Sequence, residues 1–85
     1  MDATPSKRQL EEALKAAAFA HHDYEANVLD GVRDEQWAGF YAAYVLGRVG
    51  DFATPSALAG SLKRAPTDDN WALSAAAYVL GRLAQ

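Results

Sequence analysis

The chain is short, with 85 residues, of which 51% are hydrophobic, and it carries a formal net charge of −3 at pH 7. It has no cysteine, which excludes disulfides and thiolate chemistry, and no basic patch with interleaved aromatics, which argues against nucleic acid. Its alanine content favours helices, and it shows neither a signal-peptide core nor a membrane-length apolar run, so we expect one cytoplasmic all-α domain over residues 1–85.

The first predicted helix begins near Pro5 or Ser6, with Thr4 as its N-cap, and ends before Gly31. Apolar residues recur along this segment at spacings of 3 and 4, which is typical of a helix with one buried stripe. The members of this stripe are Leu10, Leu14, Ala17, His21, Tyr24 and Val28. Phe19 falls on the opposite side of the helix and is therefore a candidate interface residue.

The second predicted helix begins at Asp34, whose carboxylate can cap the free amides, and extends to Leu46 or Gly47. The third opens with Thr54-Pro55-Ser56, a capping residue followed by proline at the first turn, and ends before Pro66.

The fourth predicted helix is capped by Thr67 or Asp68 and continues almost to Gln85. The four helices predict a small bundle of two αα-hairpins, over residues 5–48 and 54–84.

An internal repeat supports this pairing of hairpins. Residues 34–48 and 68–82 align at an offset of 34, and 10 of the 15 aligned positions are identical. Periods of this size indicate duplicated supersecondary units, so the second and fourth helices should occupy equivalent positions in a pseudo-symmetric fold.

Four aromatic residues lie on one face of the second predicted helix: Trp37, Phe40, Tyr41 and Tyr44. They indicate either a bundle core whose polar ring tips reach the rim, or an aromatic groove for a peptide or flat ligand. Both interpretations stay open at this point.

Two tyrosine–arginine pairs, Tyr44 with Arg48 and Tyr78 with Arg82, share a spacing of four residues near predicted helix ends. Each guanidinium can lie over the ring and compensate the helix dipole. Alternatively, the two arginines form a symmetric site for a carboxylate or phosphate.

The densest polar cluster contains His21, His22 and Glu25. His22 and Glu25 are separated by one helical turn, which makes the three residues candidate metal ligands. The other interpretation is a buried His21 that bonds a hydroxyl or a carboxylate, with no metal or other cofactor. We expect no catalytic residue here, because no nucleophile or oxyanion motif accompanies the histidines.

Leu46 and Leu80 lie behind the aromatic faces of their helices, so both helices are apolar nearly all round. A second copy of the chain could cover such faces, which predicts a homodimer. The functional expectation is a non-enzymatic protein-interaction module without membrane or nucleic-acid contacts. A small-ligand or anion binder and a metal site are the alternatives.

The segment from Trp37 to Pro66 resembles a degenerate tetratricopeptide repeat, through Trp37, Tyr44, the turn Gly50-Asp51-Phe52 and Pro66. This resemblance implies stacked helical repeat units. The chain is also similar to small uncharacterised bacterial helical proteins with the patterns HH-x-YE, GV-x-D-x-x-W and YAAY. The second resemblance implies no activity.

Overall fold

The computed structural model describes residues 4–31 and 35–83, which form four α-helices and contain no strand. The helices are α1 (Lys7–Asn27), α2 (Trp37–Val49), α3 (Pro55–Arg64) and α4 (Trp71–Leu83). The all-α prediction with four helices is therefore confirmed. None of the described helices is both long enough and apolar enough to cross a bilayer.

The N-terminus of α1 is held by a capping box that uses Ser6, so the prediction of Thr4 as N-cap is wrong. The amide of Gln9 donates to the Ser6 hydroxyl oxygen at 3.1 Å, and the amide of Ser6 donates to the Gln9 side-chain oxygen at 2.9 Å. This exchange needs Glu or Gln three residues after the cap. The residue three positions after Thr4 is Lys7, whose side chain has no hydrogen-bond acceptor.

α1 ends at Asn27, earlier than expected, because the chain turns away through two residues with positive φ. These are Asp30, with a φ of 53°, and Gly31, with a φ of 84°. The amide of Gly31 donates to the carbonyl of Glu25 at 2.8 Å and closes the turn. Val28 is consequently 63% exposed, which corrects its expected place on the buried stripe.

α2 begins at Trp37, three residues later than predicted, with Gln36 at its N-cap position, and it extends to Val49, two residues past the predicted end. Its predicted cap, Asp34, lies outside the described residues. At the other end, the amide of Gly50 donates to the carbonyl of Leu46 at 2.9 Å, and Gly50 has a φ of 98°. Glycine adopts this conformation without steric cost, so the helix stops there.

The capping prediction for α3 agrees with the structure. The Thr54 hydroxyl accepts from the amide of Ala57 at 3.2 Å, and α3 ends before Pro66 as expected. α4 begins at Trp71, later than predicted, and the Asp68 carboxylate accepts from the amide of Asn70 at 3.0 Å. Because Asn70 precedes the helix, this bond does not cap its first turn, and the predicted cap by Thr67 or Asp68 is corrected.

The four helices pack as a closed square. α1 contacts α2 and α4, α3 contacts the same two helices, and no backbone contact joins diagonal partners within the described ranges. His21, near the end of α1, meets Phe40 in the first turn of α2, so these helices run antiparallel. The starts of α2 and α4 and the end of α3 therefore gather at one end of the bundle.

The core fills the centre of this square, and α2 and α4 contribute to it at matching repeat positions. The matched buried pairs are Ala38 with Ala72, Ala42 with Ala76, and Val45 with Val79. Leu10, Leu14 and Leu58 complete the fully buried large side chains.

Leu46 corrects one expectation about the interface. It is only 5% exposed within a single chain, because α2 packs against both α1 and α3. Leu46 is therefore unavailable to a second copy, whereas Leu80 is half-buried at the edge of the core. The two apolar sides of α2 are therefore covered by α1 and α3 inside the bundle.

Candidate functional site

Tyr41 is the centre of an aromatic cluster at the end of the bundle where α2 and α4 begin. Its ring centroid lies 5.6 Å from that of Trp37 at an interplanar angle of 90°, and 6.2 Å from that of Trp71 at 74°. It also lies 5.3 Å from the imidazole of His21. Such edge-to-face contacts are a favoured arrangement of aromatic rings, so Tyr41 joins residues from three helices.

An open groove lies beside this cluster, between the start of α2, the end of α3 and the start of α4. Its volume is about 290 Å³. The lining residues are Trp37, Tyr41, Leu62, Ala65, Pro66, Thr67, Asp68, Trp71 and Ala75. We call this feature the aromatic groove. Its walls are mainly apolar, and its three large rings are each half-buried, so they present part of their surface to solvent.

Asp68 carries the one carboxylate among the residues that line the aromatic groove. Its position is fixed by the hydroxyl of Ser74, which lies 3.2 Å and 3.1 Å from its two oxygens, and by the amide of Asn70. Lysine, arginine and histidine are absent from that lining. The groove therefore offers an ordered negative charge next to aromatic surfaces.

The structure divides the predicted aromatic face of α2 into two parts. Trp37 and Tyr41 line the groove, whereas Phe40 packs against α1, with centroid distances of 5.1 Å to His21 and 5.2 Å to Tyr24. Tyr44 is half-buried against the core. Part of the face is thus groove and part is helix–helix contact.

His21 and Glu25 support Tyr41 from the side of α1. His21 is only 7% exposed, which confirms its expected burial, and its Nδ1 lies 3.8 Å from Oε1 of Glu25. Burial, and to a smaller degree the carboxylate of Glu25, raises the pKa of Tyr41 above the ordinary value of 10.0. The Tyr41 hydroxyl therefore keeps its proton at neutral pH and can donate a hydrogen bond.

His22 lies on another side of α1 from His21. It is exposed, and it borders a shallow groove of about 350 Å³ with Lys15, Ala18, Phe19 and Trp71. The proposed ligand set of His21, His22 and Glu25 is thus divided between two surfaces. Across residues 4–31 and 35–83, no group of three or more His, Cys, Asp or Glu side chains could hold a metal ion.

The two arginines are exposed in the last turns of α2 and α4. The guanidinium carbon of Arg82 lies 5.5 Å from the ring centroid of Tyr78, as expected for a cation–π contact at a helix C-terminus. Arg48 follows the half-buried Tyr44 at the same spacing. A symmetric anion site at Arg48 and Arg82 stays a prediction.

Trp71 and Asp68 are groove residues that the sequence interpretation did not place in a binding site. The repeat contained a signal for Trp71, because this residue aligns with Trp37. Asp68 was expected only as a helix cap, and the structure places it just before α4 and in the groove wall.

Comparison with known proteins found no match to a family model, to a curated protein or to a solved structure. The tetratricopeptide resemblance therefore stays a prediction.

Proposed function

We propose that the chain is a non-enzymatic helical interaction module that binds a segment of a partner protein in the aromatic groove. The observation that carries the proposal is the half-exposed trio of Trp37, Tyr41 and Trp71 around an open cavity of about 290 Å³. A small bundle has little apolar surface to spare for exposure, so large rings that remain accessible are candidates for contact with a partner.

The chemistry of these residues suits recognition of a peptide. Tryptophan and tyrosine are enriched among the residues that dominate binding energy, because they combine a rigid apolar ring with one polar group. The indole N–H groups of Trp37 and Trp71 and the hydroxyl of Tyr41 can donate to peptide carbonyls. Contacts between the rings hold them in position before a partner arrives, which lowers the entropy cost of binding.

A cytoplasmic location and a homodimeric state stay predictions. The anion-binding alternative has less support, because Arg82 already lies over Tyr78 in a structural contact.

Selection from a library of displayed random peptides tests the proposal. The matched pair of variants is Thr67→Arg, in which a long side chain can fold over the groove, and Ser56→Arg, which adds the same charge on α3 away from it. Both positions are exposed, so both variants should fold. We expect selected peptides to bind the parent and Ser56→Arg and to lose binding to Thr67→Arg. Enriched peptides that bind all three proteins equally, or no enrichment above an unrelated helical protein, would contradict the proposal.

A further inference from the structure

We infer that the group received by the aromatic groove is a methylated ammonium at the end of a partner's lysine side chain. The inference rests on the proposed function and specifies the chemistry of the bound segment.

The ring geometry provides faces for a cation. The ring planes of Trp37 and Tyr41 are perpendicular, and those of Tyr41 and Trp71 meet at 74°. Neighbouring rings at such angles form corners in which one small group can contact more than one aromatic surface. The face of each ring is the negative side of its quadrupole, so it attracts a cation within about 6 Å, and tryptophan does so most strongly.

Acidic side chains outnumber basic ones around the groove, where the exposed Lys63 and Arg64 of the last turn of α3 are near its wall but do not line it. Asp68 is in the wall, and the exposed Glu35 and Asp69 each stand two residues before a groove tryptophan. These carboxylates oppose the positive ends of the α2 and α4 dipoles, which would otherwise disfavour a cation. No basic side chain lines the groove to compete for the rings.

The cost of removing water distinguishes a methylated ammonium from a primary ammonium in this groove. A primary ammonium is a compact, strongly hydrated charge with three donors that need acceptors. The one carboxylate that lines the groove, Asp68, already accepts from Asn70 and Ser74, so it can satisfy only part of the three donors of a primary ammonium. A methylated ammonium loses less hydration and presents methyl groups to the rings, so the mainly apolar groove favours it over unmodified lysine.

The test follows the indole N–H signals of the uniformly nitrogen-15-labelled full chain. The chain has 2 tryptophans, so its two indole signals are easily assigned. Trp37 lines only the aromatic groove, whereas Trp71 also borders the shallow groove beside Phe19, so the Trp37 signal is the specific reporter. The main probe is the peptide Gly-Gly-Lys-Gly-Gly with a trimethylated lysine. Three controls accompany it: the unmodified peptide, the analogue in which a quaternary carbon replaces the ammonium nitrogen, and free choline.

We expect the trimethylated peptide to shift the Trp37 indole signal saturably, with an affinity about 2- to 30-fold higher than that of the neutral carbon analogue. Asp68→Asn keeps an oxygen that can accept from Asn70 and Ser74, so it should preserve the fold. This variant should weaken the trimethylated peptide by about 1.5- to 5-fold at low salt and leave the carbon analogue unchanged. Thr67→Arg should abolish both shifts.

Equal binding of the trimethylated peptide and its carbon analogue would overturn the cation inference and leave the interaction module intact. Equal binding of the unmodified and trimethylated peptides would overturn the requirement for methylation. Equal affinities for choline and for the trimethylated peptide would overturn the assignment of the bound group to a lysine side chain of a partner protein. If no probe shifts Trp37 the inference fails, while the peptide selection with Thr67→Arg and Ser56→Arg decides separately whether the groove binds a partner.

Discussion

Tyr41 and Trp71 meet edge to face across the bundle, with 6.2 Å between their ring centroids. The two residues are not equivalent in the internal repeat, since Trp71 aligns with Trp37 and Tyr41 aligns with Ala75. Ala75 lines the aromatic groove, and its small side chain leaves open the space beside the large ring of Tyr41. The groove thus exists where the two copies of the repeat differ.

Trp71 should contribute to stability as well as to the groove. It is half-buried and packs against the core, so Trp71→Ala should lower the free energy of unfolding by about 2–4 kcal/mol, toward the lower part of the range for aromatic truncation. Leu73→Ala is the matched control, because Leu73 is on the same helix and is 39% exposed. Urea unfolding should show a smaller loss for Leu73→Ala, and equal losses would mean that Trp71 is not a packing residue.

The capping box at the start of α1 can be tested with two polar residues on either side of Pro5. Ser6→Ala removes the hydroxyl that accepts from Gln9 and should cost about 1 kcal/mol of stability. Thr4→Ala should change the free energy of unfolding by less than about 0.5 kcal/mol, because Thr4 is exposed and lies outside the box. The reverse order in thermal or urea melting would restore Thr4 as the cap.

The stability of the fold should depend on the ionisation of Tyr41 at alkaline pH. Its folded pKa is raised, first by burial and then by Glu25. Below the ordinary value both states keep the proton, so this contribution to stability is fully present. As the pH rises above about 10, the unfolded chain ionises first, and the contribution is lost as the pH passes through the folded pKa.

The measurement is the free energy of unfolding between about pH 9 and pH 11. The parent should lose stability more steeply than Tyr41→Phe, and Glu25→Gln should reduce the steepness only partly, because the carboxylate is the smaller cause. Parallel curves for the parent and Tyr41→Phe would show that this hydroxyl does not titrate differently in the two states.

Phe19 should support the predicted self-association. It is 80% exposed and borders the shallow groove with Lys15, His22 and Trp71. The exposed ring and the groove therefore lie on one surface. In a twofold dimer the same surface of each copy faces the other, so each ring could enter the groove of its partner. Sedimentation at micromolar concentration should give a dimer for the parent and a monomer for Phe19→Ser. Val28→Ser, at another exposed apolar residue, should remain dimeric. A monomeric parent would contradict the predicted homodimer.

Local signals predicted much of the fold. The sequence Thr54-Pro55 identified the start of α3, and the repeat predicted α2 and α4 as equivalent helices. Both helices have 13 residues in the structure, although both were predicted to begin earlier. The end of α1 was missed because it depends on a turn with positive φ at Asp30, a residue type that adopts this conformation less readily than glycine.

The aromatic groove could be predicted only in part. Helical spacing placed Trp37 and Tyr41 on one face, but their contact with Trp71 depends on how helices distant in the chain are arranged. The same arrangement buries Leu46, although the helical periodicity alone predicted that Leu46 could contact a second copy of the chain. Neighbour relations between helices are tertiary information, and short apolar helices leave several such arrangements open.

The closed square of helices also has a consequence for the order in which the bundle opens. Of the four helix–helix contacts in the described chain, three join consecutive helices, and the contact of α1 with α4 alone must bring distant segments together. That contact bears the largest loop-closure entropy, and α4 is the shorter of the two helices that it joins, so α4 is the natural first element to detach in a local opening. Trp71 belongs to α4, so this detachment would also dismantle one wall of the aromatic groove. An occupant held between Tyr41 and Trp71 would therefore slow amide hydrogen exchange along α4, far from the atoms it touches.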